Sequence, residues 1–204
     1  MPSKYTRRGI LSAGLLLGAT HLVPAAIASD DPDDRANGRR LARTPASIAA
    51  GEIIVSLADR RLYHVHAPGR AVSYPIATPR DRDLWEGTQI VTAKRANPSW
   101  VPTPTMLRDN PRLPPFVPGG HPFNPMGARA LYLGHTYYRI HGTDAPWLIG
   151  QNVSKGCIRM LDPHVIELFD AVPVGTKVTV TRASLASPDH VARSRGRDAA
   201  GGGT

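Results

Sequence analysis

Residues 138–160 read YRIHGTDAPWLIGQNVSKGCIRM and contain the only cysteine of the chain, Cys157, with His141 sixteen positions before it. A strand-like run, 131–140, leads into His141, and the glycines and proline that follow predict a loop. A loop of this length can return the chain so that the imidazole lies beside the thiol. Activation of a cysteine nucleophile requires that arrangement.

An isolated cysteine is more often a small buried apolar residue than a nucleophile, so its neighbours decide between the two interpretations. Gly156 lets the backbone approach a substrate closely, because no side chain stands in the way. His141, Lys155 and Arg159 are cationic or can become so, which favours a thiolate nearby. The pattern therefore favours a catalytic Cys157.

These residues resemble the signature of the YkuD family, the L,D-transpeptidase catalytic domain. The family has a histidine in an I-H-G-T turn, then a loop, then S-x-G-C-[I/V]-R, and this chain has IHGT at 140–143 and SKGCIRM at 154–160. The similarity extends over about 52–180. Many members carry a second histidine where Lys155 stands, so any role of that imidazole does not transfer to this chain.

The resemblance implies a mostly β, β-sandwich-like fold with the cysteine in a groove, and it implies no cofactor. Members cleave a tetrapeptide stem of peptidoglycan after its third residue, usually a diamino acid, and expel the terminal D-alanine. The acyl group then passes from the cysteine to an amine. That amine belongs to another stem (a 3→3 cross-link), to the lysine of a wall-anchored lipoprotein or to a free D-amino acid. With water as acceptor, the same enzyme is a carboxypeptidase.

Four residues receive catalytic roles. Cys157 is the predicted nucleophile, and His141 accepts its proton and returns one to the leaving amine, which suits an imidazole. The backbone carbonyl of Gly142 is expected to orient His141. The backbone N–H of Cys157, with Gly156 beside it, is the expected site for the oxyanion.

The candidates for substrate binding are Arg159, Lys155, Ser154, Trp147 and Tyr138. Arg159 either forms a structural salt bridge, with Asp162 or Asp144, or binds a substrate carboxylate through its planar fork. Ser154 either stabilises the turn or joins the hydrogen bonds of the site. The two aromatic side chains either line the groove or pack against the domain.

Short runs of β-branched and aromatic residues between turn residues predict a mostly β domain. We expect strands at 53–57, 62–66, 71–77, 88–94, 131–140 and 174–180. Asp162 as N-cap and Pro163 at the first helical position predict one short helix, which ends before Pro173 and leaves Glu167 in solvent. His64 and His66 share a strand face, but no third ligand of matching spacing accompanies them, so we expect no metal site.

Residues 97–125 are rich in proline and glycine and too long for an ordinary connection. Trp100, Phe116 and Phe123 favour packing onto the domain. We therefore predict a lid over the groove.

The ends of the chain differ in composition from the middle. Residues 1–28 combine basic side chains, a short apolar run and an A-I-A cleavage site, and Arg7-Arg8 fits a twin-arginine export signal. An uncleaved membrane anchor is the alternative. Residues 29–50 are expected to be a flexible linker, 51–181 the catalytic domain and 182–204 a disordered basic tail. The protein is thus expected to be exported, to the periplasm or cell wall, with membrane contact only through the signal.

The chain carries 25 Lys and Arg against 16 Asp and Glu. No nucleic-acid-binding motif accompanies this charge, and attraction to an acidic wall polymer fits equally well. A single cysteine excludes an intrachain disulfide. Two other functions stay open, a thiol hydrolase of wall peptides and a non-catalytic wall-binding domain.

Overall fold

Strands dominate the computed structural model, which describes residues 38–186. The strands are β1 Arg40–Arg43, β2 Ile53–Ser56, β3 Arg61–Ala67, β4 Arg70–Pro79, β5 Gly87–Ala96, β6 Arg129–Leu133, β7 Arg139–His141, β8 Asn152–Ser154, β9 Ile158–Met160 and β10 Lys177–Thr181. The α-helices are α1 Pro104–Asp109 and α2 Asp162–Ala171, and single 3-10 turns lie at Asp81–Asp83 and Pro146–Leu148. The predicted mostly β fold is confirmed.

The strands form one sheet in the order β1-β4-β3-β2-β10-β5-β6-β7-β9. β9 also pairs antiparallel with β4, through Ile76 and Met160, so the sheet closes on itself in a barrel-like arrangement. Closure places the short strands β7 and β9 side by side, with β6 paired to β7 and β4 paired to β9. Their positions are therefore fixed by neighbours on both sides.

Alternate residues of these strands fill a large apolar core, and a second, smaller apolar cluster contains Ile54, Tyr63, Val65, Ala71 and Leu185. Ile53, Leu62, Ile76, Leu131 and Ile158 are all fully buried. Burying a side chain of this size stabilises the fold by roughly 1.5–3 kcal/mol. The core is also closed by α2, which contributes Val165 and Leu168.

The start of α2 differs from the prediction. Leu161 is the N-cap, and Asp162 is already the first helical residue. The carboxylate of Asp162 instead accepts hydrogen bonds from the backbone N–H groups of Ala128, at 3.1 Å, and Thr143, at 3.0 Å. The sequence rule for capping is wrong here because a tertiary contact uses the same oxygen atom.

Residues 131–140 are two strands rather than the single predicted strand. Gly134 has φ +56°, a left-handed conformation that glycine adopts readily, and the chain reverses there. The Thr136 hydroxyl donates to the carbonyl of Leu133 at 2.6 Å and closes the turn. β6 and β7 then pair antiparallel.

The predicted boundaries of the linker and tail are wrong near the domain. Residues 40–43 form β1, which pairs with β4, and Arg39 donates to both carboxylate oxygens of Glu167 at 2.8 Å. Glu167 is therefore ion-paired, not simply solvated. Leu185, predicted to lie in the tail, is buried at 7% exposure. Residues 1–28, predicted to be a signal peptide, and residues 29–37 and 187–204 lie outside the described residues.

Among residues 38–186, no helix has the length and apolar character needed to cross a bilayer.

The carboxylate of Asp59 accepts hydrogen bonds from residues 184–186 and so holds this segment against the domain. We expect the contribution of this side chain to the free energy of unfolding to depend on pH in wild type but not in Asp59→Asn. Burial alone would raise the pKa of Asp59, but hydrogen bonds from Ser184, Leu185, Tyr63 and Ser56 outweigh it and hold the pKa below 3.8. A lowered pKa stabilises the fold above the unfolded-state value, and that stabilisation is lost as the pH falls through the folded-state value.

Urea unfolding near neutral pH should show Asp59→Asn to be less stable by about 1 kcal/mol, since the site is only partly buried. The difference from wild type should shrink in acid, below the ordinary aspartate range. Asp81→Asn, at an exposed 3-10 turn, is the matched control and should change little. A difference that stays constant with pH would contradict the assignment.

Candidate active site

Cys157 and His141 line the same cavity because β7 and β9 are parallel neighbours. Ile140 pairs with Ile158 and His141 with Arg159. Both isoleucines are fully buried in the core, so the residues next to them face the other way. The thiol, the imidazole and the Arg159 guanidinium all line one cavity of about 390 Å³.

The turn before the nucleophile requires glycine. Gly156 has φ +119°, and a Cβ atom there would lie 2.5 Å from the Tyr138 ring. The Ser154 hydroxyl accepts from the Gly156 N–H at 3.3 Å and donates to the Cys157 carbonyl at 2.5 Å. Ser154 therefore stabilises the turn, and the Gly156 N–H is already used, which leaves the N–H of Cys157 as the oxyanion donor to consider.

His141 is held by its neighbour in the way that the sequence predicted. Its Nδ1 lies 2.6 Å from the carbonyl oxygen of Gly142. A carbonyl only accepts, so Nδ1 carries the proton and Nε2 is the basic nitrogen of the neutral ring. Gly142 itself has no room for a side chain, because a Cβ atom would lie 2.0 Å from the carboxylate of Asp162.

Burial keeps both reactive groups uncharged at rest. Burial, and after it the charge of Arg159, lowers the pKa of His141 to about 3. Burial raises the pKa of the Cys157 thiol, and the backbone N–H and guanidinium of Arg139 oppose it only in part. The neighbouring cations thus lower the pKa of the thiol, as the sequence predicted, but burial raises it by more. A resting thiolate–imidazolium pair is therefore disfavoured.

Arg159 forms neither of the predicted salt bridges. Its Nε is buried and has no hydrogen-bond partner in the part of the chain that the structure describes. Asp144 acts on it only as a charge, with no ion pair between the two side chains. A buried donor without a partner is costly, so this guanidinium is available for an acceptor that enters the cavity.

Comparison with known proteins shows the family to which the chain belongs. The YkuD family, described as the L,D-transpeptidase catalytic domain, matches residues 50–180, more than half of the chain. The protein belongs to this family. A relative, the probable L,D-transpeptidase ErfK/SrfK of Escherichia coli K12, is 41% identical over 148 residues, which are 67% of this chain and 45% of the relative.

A putative L,D-transpeptidase of Fuscovulum blasticum is 35% identical over 136 residues, 66% of this chain and 71% of that protein. The crystal structure of the Enterococcus faecium L,D-transpeptidase superposes with a TM-score of 0.50 at 20% identity, covering 66% of this chain and 50% of that one, which shows a shared fold. The chain spans about half the length of the first of these relatives.

Residues 97–125, the predicted lid of this YkuD domain, contribute to the cavity wall through Trp100, but Phe116 and Phe123, which were also expected to pack, are 53% and 77% exposed. Trp100 and Val117 exchange backbone hydrogen bonds of 2.9 Å, and the Asn124 amide donates to the carbonyls of Pro98 and Pro118. The lid contributes an apolar wall made of Trp100, Val101, Pro102, Pro104, Met106 and Pro125. It also contains α1, a helix that the sequence analysis did not predict.

Lys155 replaces the family's frequent second histidine and connects the cysteine loop to the lid. Its ammonium group forms an ion pair with Asp109, the last residue of α1. This hydrogen bond holds the pKa of Asp109 below its ordinary value. Lys155 also lines the cavity. A substrate-binding role for Lys155 remains a prediction beside this structural one.

Both predicted aromatic residues lie outside the cavity wall. Tyr138 stacks on Trp85 with ring centres 4.4 Å apart, behind Gly156, so it packs. Trp147 is 72% exposed on a 3-10 turn. Tyr137 and Arg139 line the cavity instead, and the sequence analysis missed them. One signal in the sequence could have found Arg139. Residues 139–141 and 157–159 both place an isoleucine between two polar residues, so Arg139 shares a strand face with His141 as Cys157 does with Arg159.

Gly142→Ala should destabilise the domain by more than about 2 kcal/mol in urea unfolding, as in overpacked cores. The new methyl group must displace Asp162, which then loses its bonds to Ala128 and Thr143. Gly150→Ala is the matched control, since φ is +89° there but nothing lies within 4 Å. It should cost only about 1 kcal/mol of backbone strain. Equal losses in the two variants would contradict this explanation.

Lys155→His and Asp109→Asn should each loosen the lid, because each removes the ion pair between α1 and the cysteine loop. We expect faster hydrogen exchange over 97–125, measured by mass spectrometry. Lys177→Met, which breaks the ion pair with Glu52 outside the lid, is the control and should leave lid exchange unchanged. Wild-type exchange rates in both lid variants would show that the pair does not hold the lid.

Proposed function

We propose that this domain is a cysteine-dependent L,D-transpeptidase that acts on peptidoglycan stem peptides through a thioester on Cys157. The observation that carries the proposal is the position of Cys157 and His141 on one cavity, with the Gly142 carbonyl fixing the tautomer of His141. A nucleophile, a base and an orienting group are the parts that acyl transfer needs.

In the first half-reaction the Cys157 sulfur attacks the carbonyl carbon between the third residue of the stem and the terminal D-alanine. The thiol proton moves to Nε2 of His141 as the S–C bond forms. The backbone N–H of Cys157 donates to the oxyanion. The C–N bond then breaks, and His141 returns the proton to the leaving amine, so D-alanine departs and both groups are again uncharged.

In the second half-reaction an acceptor amine attacks the thioester carbonyl. His141 removes a proton from the amine, the S–C bond breaks, and the proton returns to sulfur. A stem amine gives a 3→3 cross-link, and the lysine of a wall-anchored lipoprotein or a free D-amino acid gives an attached product. Water in the same place gives a hydrolysed stem.

The cavity suits a donor that is apolar along one side and anionic at one point. The lid supplies apolar groups, while Arg159 offers a buried Nε without a partner. A guanidinium binds a carboxylate with two parallel hydrogen bonds. We assign Arg159 to a carboxylate of the donor stem. Action on the wall agrees with export to the periplasm or cell wall through the signal predicted at 1–28.

The test is intact-mass analysis of the purified protein with a tetrapeptide donor. Wild type should gain the mass of the acyl tripeptide on Cys157, the only cysteine. Cys157→Ala should gain nothing, and His141→Ala should acylate at least about 100-fold more slowly, the usual share of a general base. His135→Ala, at an exposed position between β6 and β7, is the matched control and should acylate like wild type.

Adding an acceptor amine separates the remaining functions. Transfer to the amine supports the transpeptidase, and release of free tripeptide alone identifies a hydrolase. Binding to wall sacculi without any thioester on wild-type protein would contradict the proposal and favour a wall-binding domain.

A further inference from the structure

Four side chains form a two-by-two arrangement on the cavity face of β7 and β9. The register pairs His141 with Arg159. Cys157 directly precedes β9, and the same parallel register, continued two residues back along both chains, places Arg139 beside it. The backbone N–H and the guanidinium of Arg139 both act on the sulfur. The thiol and the imidazole therefore lie on one diagonal, and the two guanidinium groups lie on the other. All four line the same cavity.

Arg139 and the thiol share one hydrogen-bond acceptor. The Cys157 sulfur lies 3.5 Å from the carbonyl oxygen of Tyr137, and a guanidinium nitrogen of Arg139 donates to that oxygen at 2.6 Å. The guanidinium also lies 4.7 Å from the centre of the Tyr132 ring, its partner on β6. A stacked, hydrogen-bonded guanidinium is held in place, so its charge stays next to the sulfur.

Other charged or titratable side chains near the sulfur lie on several elements. His141 lies on β7, Arg159 on β9, Lys155 on the loop after β8 and Asp144 after β7. Lys155 is already paired with Asp109. The lid residues that line the cavity carry no charge. Among the described residues, Arg139 and Arg159 are thus the cations that act on the sulfur without an ion-pair partner, and of the two Arg139 also donates to the carbonyl that the thiol faces.

We propose that Arg139 is the counter-cation of the Cys157 nucleophile, and this rests on the proposed role of Cys157. When His141 takes the thiol proton, the S–H electron pair stays on sulfur, and the guanidinium stabilises that negative charge. The pair then enters the S–C bond, and the charge moves to the carbonyl oxygen. The same stabilisation acts again when the thioester breaks and the pair returns to sulfur.

Arginine suits this place better than lysine or histidine. The partly buried cavity disfavours charged groups, as the low pKa of His141 illustrates. A guanidinium does not lose its proton in a protein, so it remains cationic there. Its several N–H groups can also donate to the Tyr137 carbonyl and to the sulfur at once.

The experiment is alkylation of Cys157 by iodoacetamide as a function of pH, which needs no substrate. The thiolate displaces iodide, so the rate follows the thiolate fraction. Arg139→Gln keeps a donor for the Tyr137 carbonyl but removes the charge. Its rate near pH 7 should fall about tenfold, the effect of one pKa unit, and its profile should shift to higher pH. Arg139→Lys should stay within about threefold of wild type, since it keeps the charge but loses the planar fork.

Arg70→Gln, at the exposed first residue of β4, is the charge-matched control and should keep the wild-type profile. Tyr132→Leu provides a second variant if Arg139→Gln does not fold. It keeps the charge but removes the ring under the guanidinium, so its profile should shift in the same direction. Wild-type profiles for the folded variants would overturn the proposal.

A second readout separates this proposal from the proposed function. Acylation by the tetrapeptide donor is measured on the same variants. A shifted alkylation profile in Arg139→Gln supports the counter-cation even if wild type forms no thioester. Normal acylation by wild type together with an unchanged alkylation profile in Arg139→Gln overturns the counter-cation alone.

Discussion

The contact on which the site depends is the parallel pairing of β7 with β9. It joins residues that are far apart in sequence, and it is secured by Ile140 and Ile158, both fully buried. Side chains alternate along a strand, so a slip of one residue would turn the isoleucines out of the core and the reactive groups into it. The cost of exposing two isoleucines therefore fixes the register of Cys157 against His141. Core packing and the juxtaposition of these two side chains therefore share one constraint.

Asp162 shows how a single carboxylate organises the surroundings of that pair. It starts α2, and it holds the backbone at Ala128, where the lid returns, and at Thr143, just after the histidine turn. Gly142 must be small because this carboxylate lies against it. The I-H-G-T motif thus combines the proposed base, His141, with the carbonyl that orients it and with space for a structural acid.

Burial and nearby cations decide the charges of His141 and Cys157 in the cavity. Burial and two arginines keep His141 neutral, and burial also keeps the thiol protonated. Cations stabilise a thiolate and destabilise an imidazolium. The two arginines therefore favour the charged form of the thiol and disfavour the charged form of the imidazole. An anionic donor that pairs with Arg159 reduces this positive field. Donor binding and base strength are then physically coupled.

The sequence by itself determined the mostly β class, the contact between His141 and the Gly142 carbonyl, and the position of Cys157 and His141 on one cavity, because these follow from local pattern and from a specific motif. It placed most strands within a few residues of their bounds. It did not reveal β1, the ion pair of Lys155 with Asp109 or the presence of Arg139 in the cavity. Those features depend on which distant segments become neighbours when the sheet closes. The N-cap prediction at Asp162 was wrong, because its carboxylate bonds to the backbone of Ala128 instead. Of the two positions left open for Tyr138, packing is the one found, because the ring of Trp85 stacks on it.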